Sequence, residues 1–118
     1  MAVNEHIEKI LKPIGLPIAY RAFKPYKNKP VPAPPYLIYL ISNESGRGAD
    51  GKNLYKRLHI VVELYTTTKN TALEDKVENA ISQYEFEKYE TYIESEKMWL
   101  VSFEFDIFEK QGGINNAG

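Results

Sequence analysis

Glu104 and Asp106 are the first residues in this chain that could do chemistry. Two carboxylates at i and i+2 of a strand share one face. With Glu94 or Glu96 on a partner strand they could bind a divalent cation or act as an acid–base pair. The plainer expectation is a solvated strand face. His59 lies mid-strand with Arg57 and Glu63 on its own face. A general base needs a nucleophile to act on, and none neighbours it in sequence, so a structural or interface role is expected. Ser45, Ser82, Ser95 and Ser102 lack the strand–turn–helix context of a nucleophile elbow. Gly46 to Gly51 has the spacing of a phosphate-binding loop and Lys52 follows it, but Asn53 replaces the Ser or Thr. A strand is expected next where a helix N-terminus would have to cradle the phosphate. No catalytic centre, metal site or cofactor is therefore expected.

Composition narrows the field further. The 118 residues suit one domain. There is no cysteine, so disulfide scaffolds, thiolate metal sites and thiol nucleophiles are excluded. Two histidines leave little for a His-rich site. The longest apolar run, Tyr36 to Ile41, is too short to span a membrane, and the N-terminus lacks a secretory pattern.

The elements that must position these residues follow from periodicity. Val3, Ile7, Ile10, Leu11 and Ile14 mark one face of a short helix, with Asn4 as its expected N-cap and Pro13 and Gly15 near its end. Ile18 to Phe23 is expected as a short strand. Residues 25–35 hold five prolines and read as an extended, polyproline-like arm, since proline lacks the amide donor of a helix or central strand. Its single PxxP, Pro32 to Pro35, is expected to be a stiff connector rather than an SH3 ligand.

Tyr36 to Ser42 is apolar on both faces, as in a strand inside a sheet. Asn43 to Asn53, with three glycines and no large apolar residue, is expected as a flexible loop carrying Arg47, Asp50 and Lys52. Leu54 to Thr66 alternates: Leu54, Leu58, Ile60, Val62 and Leu64 point one way, with Lys56 the exception, and Tyr55, Arg57, His59, Val61, Glu63 and Tyr65 the other. Thr71 and Glu74 make a capping box for a helix whose stripe is Leu73, Val77, Ala80, Ile81 and Tyr84.

Phe86 to Ser95 and Met98 to Glu109 read as two strands about a Glu96–Lys97 turn. Trp99, Val101, Phe103, Phe105 and Ile107 form the inner row of the second. The tail from Gln111 is polar and is expected to be disordered. The whole predicts an α+β domain over residues 1–110: a mostly antiparallel sheet of four to five strands with two helices on one face.

Charge is uneven. Residues 1–35 hold six Lys/Arg against two Glu, residues 36–70 five against three, and residues 71–118 four against eleven. A subunit with one basic and one acidic side can associate head to tail. Tyr36, Tyr39, Tyr55 and Tyr65 could line a sheet face. Together with Arg57, His59 and Glu63 they are the candidate interface residues, since aromatic and charged side chains mixed on one face are typical of interfaces.

Three stretches carry a family likeness: PPYLIY, then HIVVELYTTTKNTALEDKVENAI, then YIESEKMWLVSFEFDIFEK. In order and texture the chain from about residue 3 to 110 resembles the small tail-terminator, or tail-completion, proteins of long-tailed bacteriophages and prophages. The resemblance implies a virion protein of the head–tail junction, made in the host cytoplasm. It implies a ring of copies, typically six, that stops tube polymerisation and joins the head. Its partners would be further copies of itself, the tail-tube protein and a head connector, with DNA passing through the lumen without sequence readout and no membrane involved. Another neck or head-completion protein, or a tyrosine-rich sheet that binds peptide or nucleic acid, are the alternatives.

Overall fold

Two runs of strict alternation, Leu58 to Leu64 and Val101 to Ile107, fix the centre of the molecule, because each can bury only one face. In the computed structural model, which describes residues 2–26, 29–49, 52–110 and 113–115, these runs lie side by side. The helices are α1 (Val3–Leu11), which runs into a 3-10 turn at Lys12–Ile14, and α2 (Thr71–Ala80). The strands are β1 (Ile18–Tyr20), β2 (Tyr36–Ala49), β3 (Lys52–Thr66), β4 (Phe86–Ile93), β5 (Met98–Lys110) and β6 (Gly113–Asn115). The sheet order is β1-β2-β3-β5-β4. Every pairing is antiparallel except β1 with β2, and β6 pairs with the end of β5. This is the expected α+β architecture.

Both helices pack on one face. Ile7, Leu11 and Ile14 meet Val77 and Ile81 over Leu37, Tyr39, Ile60, Val62, Phe103 and Phe105, all buried. Burial of this apolar surface is the main stabilising term. Phe103 is fully buried, with the Phe86 ring centred 6.0 Å away and the Lys88 ammonium 5.7 Å from its own ring centre.

Several boundaries differ from the sequence expectation, each for a local reason. The N-cap of α1 is Ala2, with no side-chain cap, and Asn4 lies inside the helix. β1 stops at Tyr20 because Arg21 takes φ 68°, a left-handed conformation that ends an extended run. The cap of α2 is Asn70, whose Oδ1 accepts the Leu73 amide at 3.0 Å. Glu74 does not close a capping box. It is drawn to Lys69 and Lys88 instead. The helix ends at Ala80, and Ile81 and Tyr84 reach the core from the turn that follows.

The segment expected as a flexible loop is the outer part of a β-hairpin. β2 and β3 stay paired through a bulge after Ile41 out to Ala49 and Lys52. Asp50 and Gly51 lie outside the described residues. In the tail, residues 113–115 form a strand where disorder was expected, and residues 111, 112 and 116–118 lie outside the described residues. Trp99 stands at the end of the inner row, half-buried, and packs on Tyr92 with ring centres 5.2 Å apart.

Candidate functional site

The face of the sheet away from the helices carries the charged strand positions. Register across β3 and β5 places His59 opposite Asp106, Val61 opposite Glu104 and Arg57 opposite Phe108. The expected partners of Glu104 and Asp106, Glu94 and Glu96, are not beside them. They sit in the β4–β5 turn, and the carboxylate that pairs across from Glu104 is Glu87. The true neighbour is His59. Its Nδ1 is 2.8 Å from Asp106 Oδ1 and its Nε2 is 2.9 Å from Glu104 Oε1.

This geometry sets the protonation state. Carboxylates accept hydrogen bonds when ionised, so a ring nitrogen facing each acid favours the imidazolium form, in which both nitrogens donate. The hydrogen bond to Glu104, then that to Asp106, raises its pKa above the ordinary histidine value, and partial burial offsets this only in part. A histidine with both nitrogens so committed has no lone pair for general-base work. It clamps two acidic side chains on one strand to its neighbour. Arg57 adds a weak contact, 3.9 Å from Asp106, while its buried Nε has no hydrogen-bond partner among the described residues.

Beside this trio is a cleft of about 600 Å³, lined by His59, Glu85, Glu87, Glu104, Asp106 and aromatic walls that include Tyr84 and Phe108. The cleft exists because β4 pairs with β5 no further than Phe105, and β6 begins pairing only at Phe108. The sheet edge is therefore notched at Asp106 and Ile107. Carboxylates outnumber cations around the notch, so it favours positive charge. Among the described residues no group of three or more His, Asp or Glu side chains is arranged to hold a metal ion.

The tyrosines divide between the two faces. Tyr36 and Tyr65 stack on the helix-free face with ring centres 5.2 Å apart, and Phe23 from the arm packs on Tyr36 at 5.1 Å. Tyr65 Oη donates to Glu63 at 3.1 Å. Burial is the main cause raising the pKa of both Tyr65 and Glu63. Tyr55 is exposed near the hairpin end and contacts Phe108. Tyr39 is not on this face: it is 1% exposed, faces the helices and donates to Glu8. It is a core residue, and the expected row of four surface tyrosines is broken. Arg47 pairs across from Tyr55 and Lys52 from Ala49, so both backbones belong to the ribbon; Asp50 lies outside the described residues.

A second polar cluster lies on the helix side and escaped the sequence. Glu74 is 3% exposed, with Lys88 Nζ 2.9 Å from one oxygen and Lys69 on the other. Lys88 also meets Glu78, and Lys69 meets Glu90, both at 2.9 Å. Burial alone would raise the Glu74 pKa, but the two lysines outweigh it and hold the carboxyl below its usual range. This cluster ties α2 to the β4 edge.

No protein-family model matches this chain, and no curated protein matches it. Among the described residues no helix is long and apolar enough to cross a membrane.

Proposed function

We propose that this chain is an assembly subunit of the phage tail-terminator kind that its sequence resembles. It closes with copies of itself into a ring on the end of the tail tube, halts tube growth and offers the surface to which the head joins. The observation that carries this is the outer end of the β2–β3 hairpin. Beyond Leu58 in β3 and Ile107 in β5, no described side chain is buried on either face, yet the strands continue paired to Ala49 and Lys52. There β3 keeps β5 beside it out to Tyr55 and β6 flanks β5, so the sheet itself runs on past its core, and sheet carried beyond a core is marginal by itself in water. Its natural use is to pack on another subunit or on the tube. The helix-free face supports the same reading, since it mixes Tyr36, Tyr65 and Phe108 with the Arg57–His59–Glu104–Asp106 cluster.

The role is read from tube length. Tail-tube protein from the same virion is polymerised with and without the chain, and the products are imaged. Tubes of limited length bearing a terminal ring are expected with it, and extended tubes without it. Equal length distributions and bare ends in both would refute the role.

A further inference from the structure

The charge imbalance along the sequence becomes an imbalance in space. From Lys9 to Asn43 there is no acidic residue and there are six basic ones. Within this stretch α1's end packs beside α2, while β1 and the start of β2 make the β1 end of the sheet, with the arm joining them. Arg21, Lys24 and Lys29 are exposed there, and none has an ion-pair partner among the described residues. The opposite end is β4 with its flanks, residues 85–97, which hold five Glu against two Lys. Of those lysines, Lys88 is already committed to Glu74 and Glu78.

Both ends are unpaired strand edges among the described residues: β1 pairs only with β2, and β4 only with β5. An open edge is a template for another strand. Among the described residues the exposed large apolar side chains, Tyr55 near the hairpin end apart, fall in the same two segments: Tyr20, Tyr26 and Val31 in β1 and the arm, and Tyr89 and Tyr92 in β4. Exposed tyrosines beside complementary charge are what an interface core and rim require.

Direction and register agree. β1 runs with β2, and three antiparallel steps lead from β2 to β4, so β1 and β4 run oppositely. Rotation about an axis along the strands preserves direction, so β4 of one copy meets β1 of the next antiparallel. Register rows cross the whole sheet. Ala19, Ile38, Glu63, Ser102 and Tyr89 form one row, and Tyr20, Tyr39, Val62, Phe103 and Lys88 the next. The row after that ends at Glu87 on β4, and Arg21 follows Tyr20 on β1. Arg21 leaves the extended run just past Tyr20, so without any slide along the strands the turn that carries it lies beside the Glu87 end of the neighbour's β4, at the mouth of the acidic cleft.

We infer that copies of this chain join edge to edge, β4 of one pairing antiparallel with β1 of the next, with Arg21 meeting Glu87 beside the acidic cleft. The inference rests on the ring reading above and names its interface. The contact is heterologous, so it leaves a free β1 edge and a free β4 edge until the circle closes.

The test uses charge reversal and cross-linking in the full chain. Arg21→Glu and Glu87→Arg each place like charges together, and both sites are exposed, so the fold persists by circular dichroism. Each is expected to raise the concentration at which oligomers form by tenfold or more. The double reversal in one chain restores the pair and is expected to bring assembly back. Independently, Ala19→Cys with Tyr89→Cys in one chain places two thiols on one row of facing edges. Because the chain has no cysteine of its own, a ladder of covalent oligomers under mild oxidation reports this contact alone. Rings that form equally well in both single reversals, with no disulfide ladder, would overturn the edge pairing and leave the ring standing. A wild-type chain that stays monomeric at every concentration, with no ladder in the cysteine variant, would overturn the edge pairing and self-association together.

Discussion

The two histidines of this chain are expected to titrate on opposite sides of the ordinary imidazole value. His59 is held between Asp106 at 2.8 Å and Glu104 at 2.9 Å, which raises its pKa. His6 is lowered, first by burial and then by Lys9, while its Nε2 meets Tyr84 Oη at 2.7 Å. With only two imidazoles, each C–H resonance in an NMR titration is assigned by one His→Gln variant. The energetic consequence follows from sign. A pKa raised on folding contributes stability that is complete below pH 6.5 and is lost as pH rises through the folded value.

Two charge-assisted hydrogen bonds would contribute several kcal/mol if dry, but the His59 side chain is 30% exposed and its two acids 33% and 34%. Solvent screening reduces the net to about 1 kcal/mol. His59→Gln should therefore lower the free energy of unfolding by about 1 kcal/mol at pH 5.5, and by clearly less at pH 9, in urea titrations at both pH values. The His6 shift has the opposite pH sign and is common to both proteins, so it cancels in the difference. A His59 resonance titrating below that of His6, or a stability gap that widens with pH, would refute the clamp.

Three further outcomes follow from the packing and the caps. Phe103→Ala should cost about 4 kcal/mol as a truncation in the closed core, whereas the half-buried Trp99→Ala should cost about 1–2 kcal/mol, both read by denaturant unfolding. Glu74→Gln should cost about 2 kcal/mol at pH 7, because it leaves Lys69 and Lys88 facing a neutral group. Its own pKa is lowered on folding, so that gap should close as pH falls through the carboxylate range. Asn70→Ala should cost about 1 kcal/mol and Thr71→Ala much less, since the Asn70 side chain makes the cap.

The parts of the fold legible in the sequence are those where burial is one-sided. β3 and β5 alternate because one face meets the helices, and Leu73, Val77 and Ile81 recur at helical spacing because they meet Ile7, Leu11 and Ile14. Residues 43–49 show no such alternation in sequence, with two glycines and no large apolar residue, so they look like a loop, while backbone pairing with β3 holds the strand. Asn70 and Thr71 are both competent caps, and Glu74 three residues on favours Thr71 by spacing, but the fold brings Lys88 within 2.9 Å of Glu74 and leaves the cap to Asn70. Phe103 and its row were visible as core, but Trp99, on the same parity, falls where helix cover ends.

The site was half legible. Glu104, Asp106 and His59 each stood out, but β3 and β5 are separated by α2 and β4 in sequence, and only the sheet order makes them neighbours. By sequence Tyr39 groups with the surface tyrosines, because Tyr36 to Ile41 is apolar on both parities. The structure turns it inward, where its hydroxyl finds Glu8. The basic first third and the acidic last third are plain in the sequence, and the sheet order puts β1 and β4, one from each, at opposite edges.

The central claim is that this chain is a two-ended subunit that closes on itself. Its most direct test is mass by light scattering over a concentration series, with negative-stain images of the same samples. The account predicts a step from monomer to one discrete, closed oligomer with a central hole, weakened by added salt. A single monomeric mass at every concentration, or open-ended aggregates of no fixed size, would contradict it.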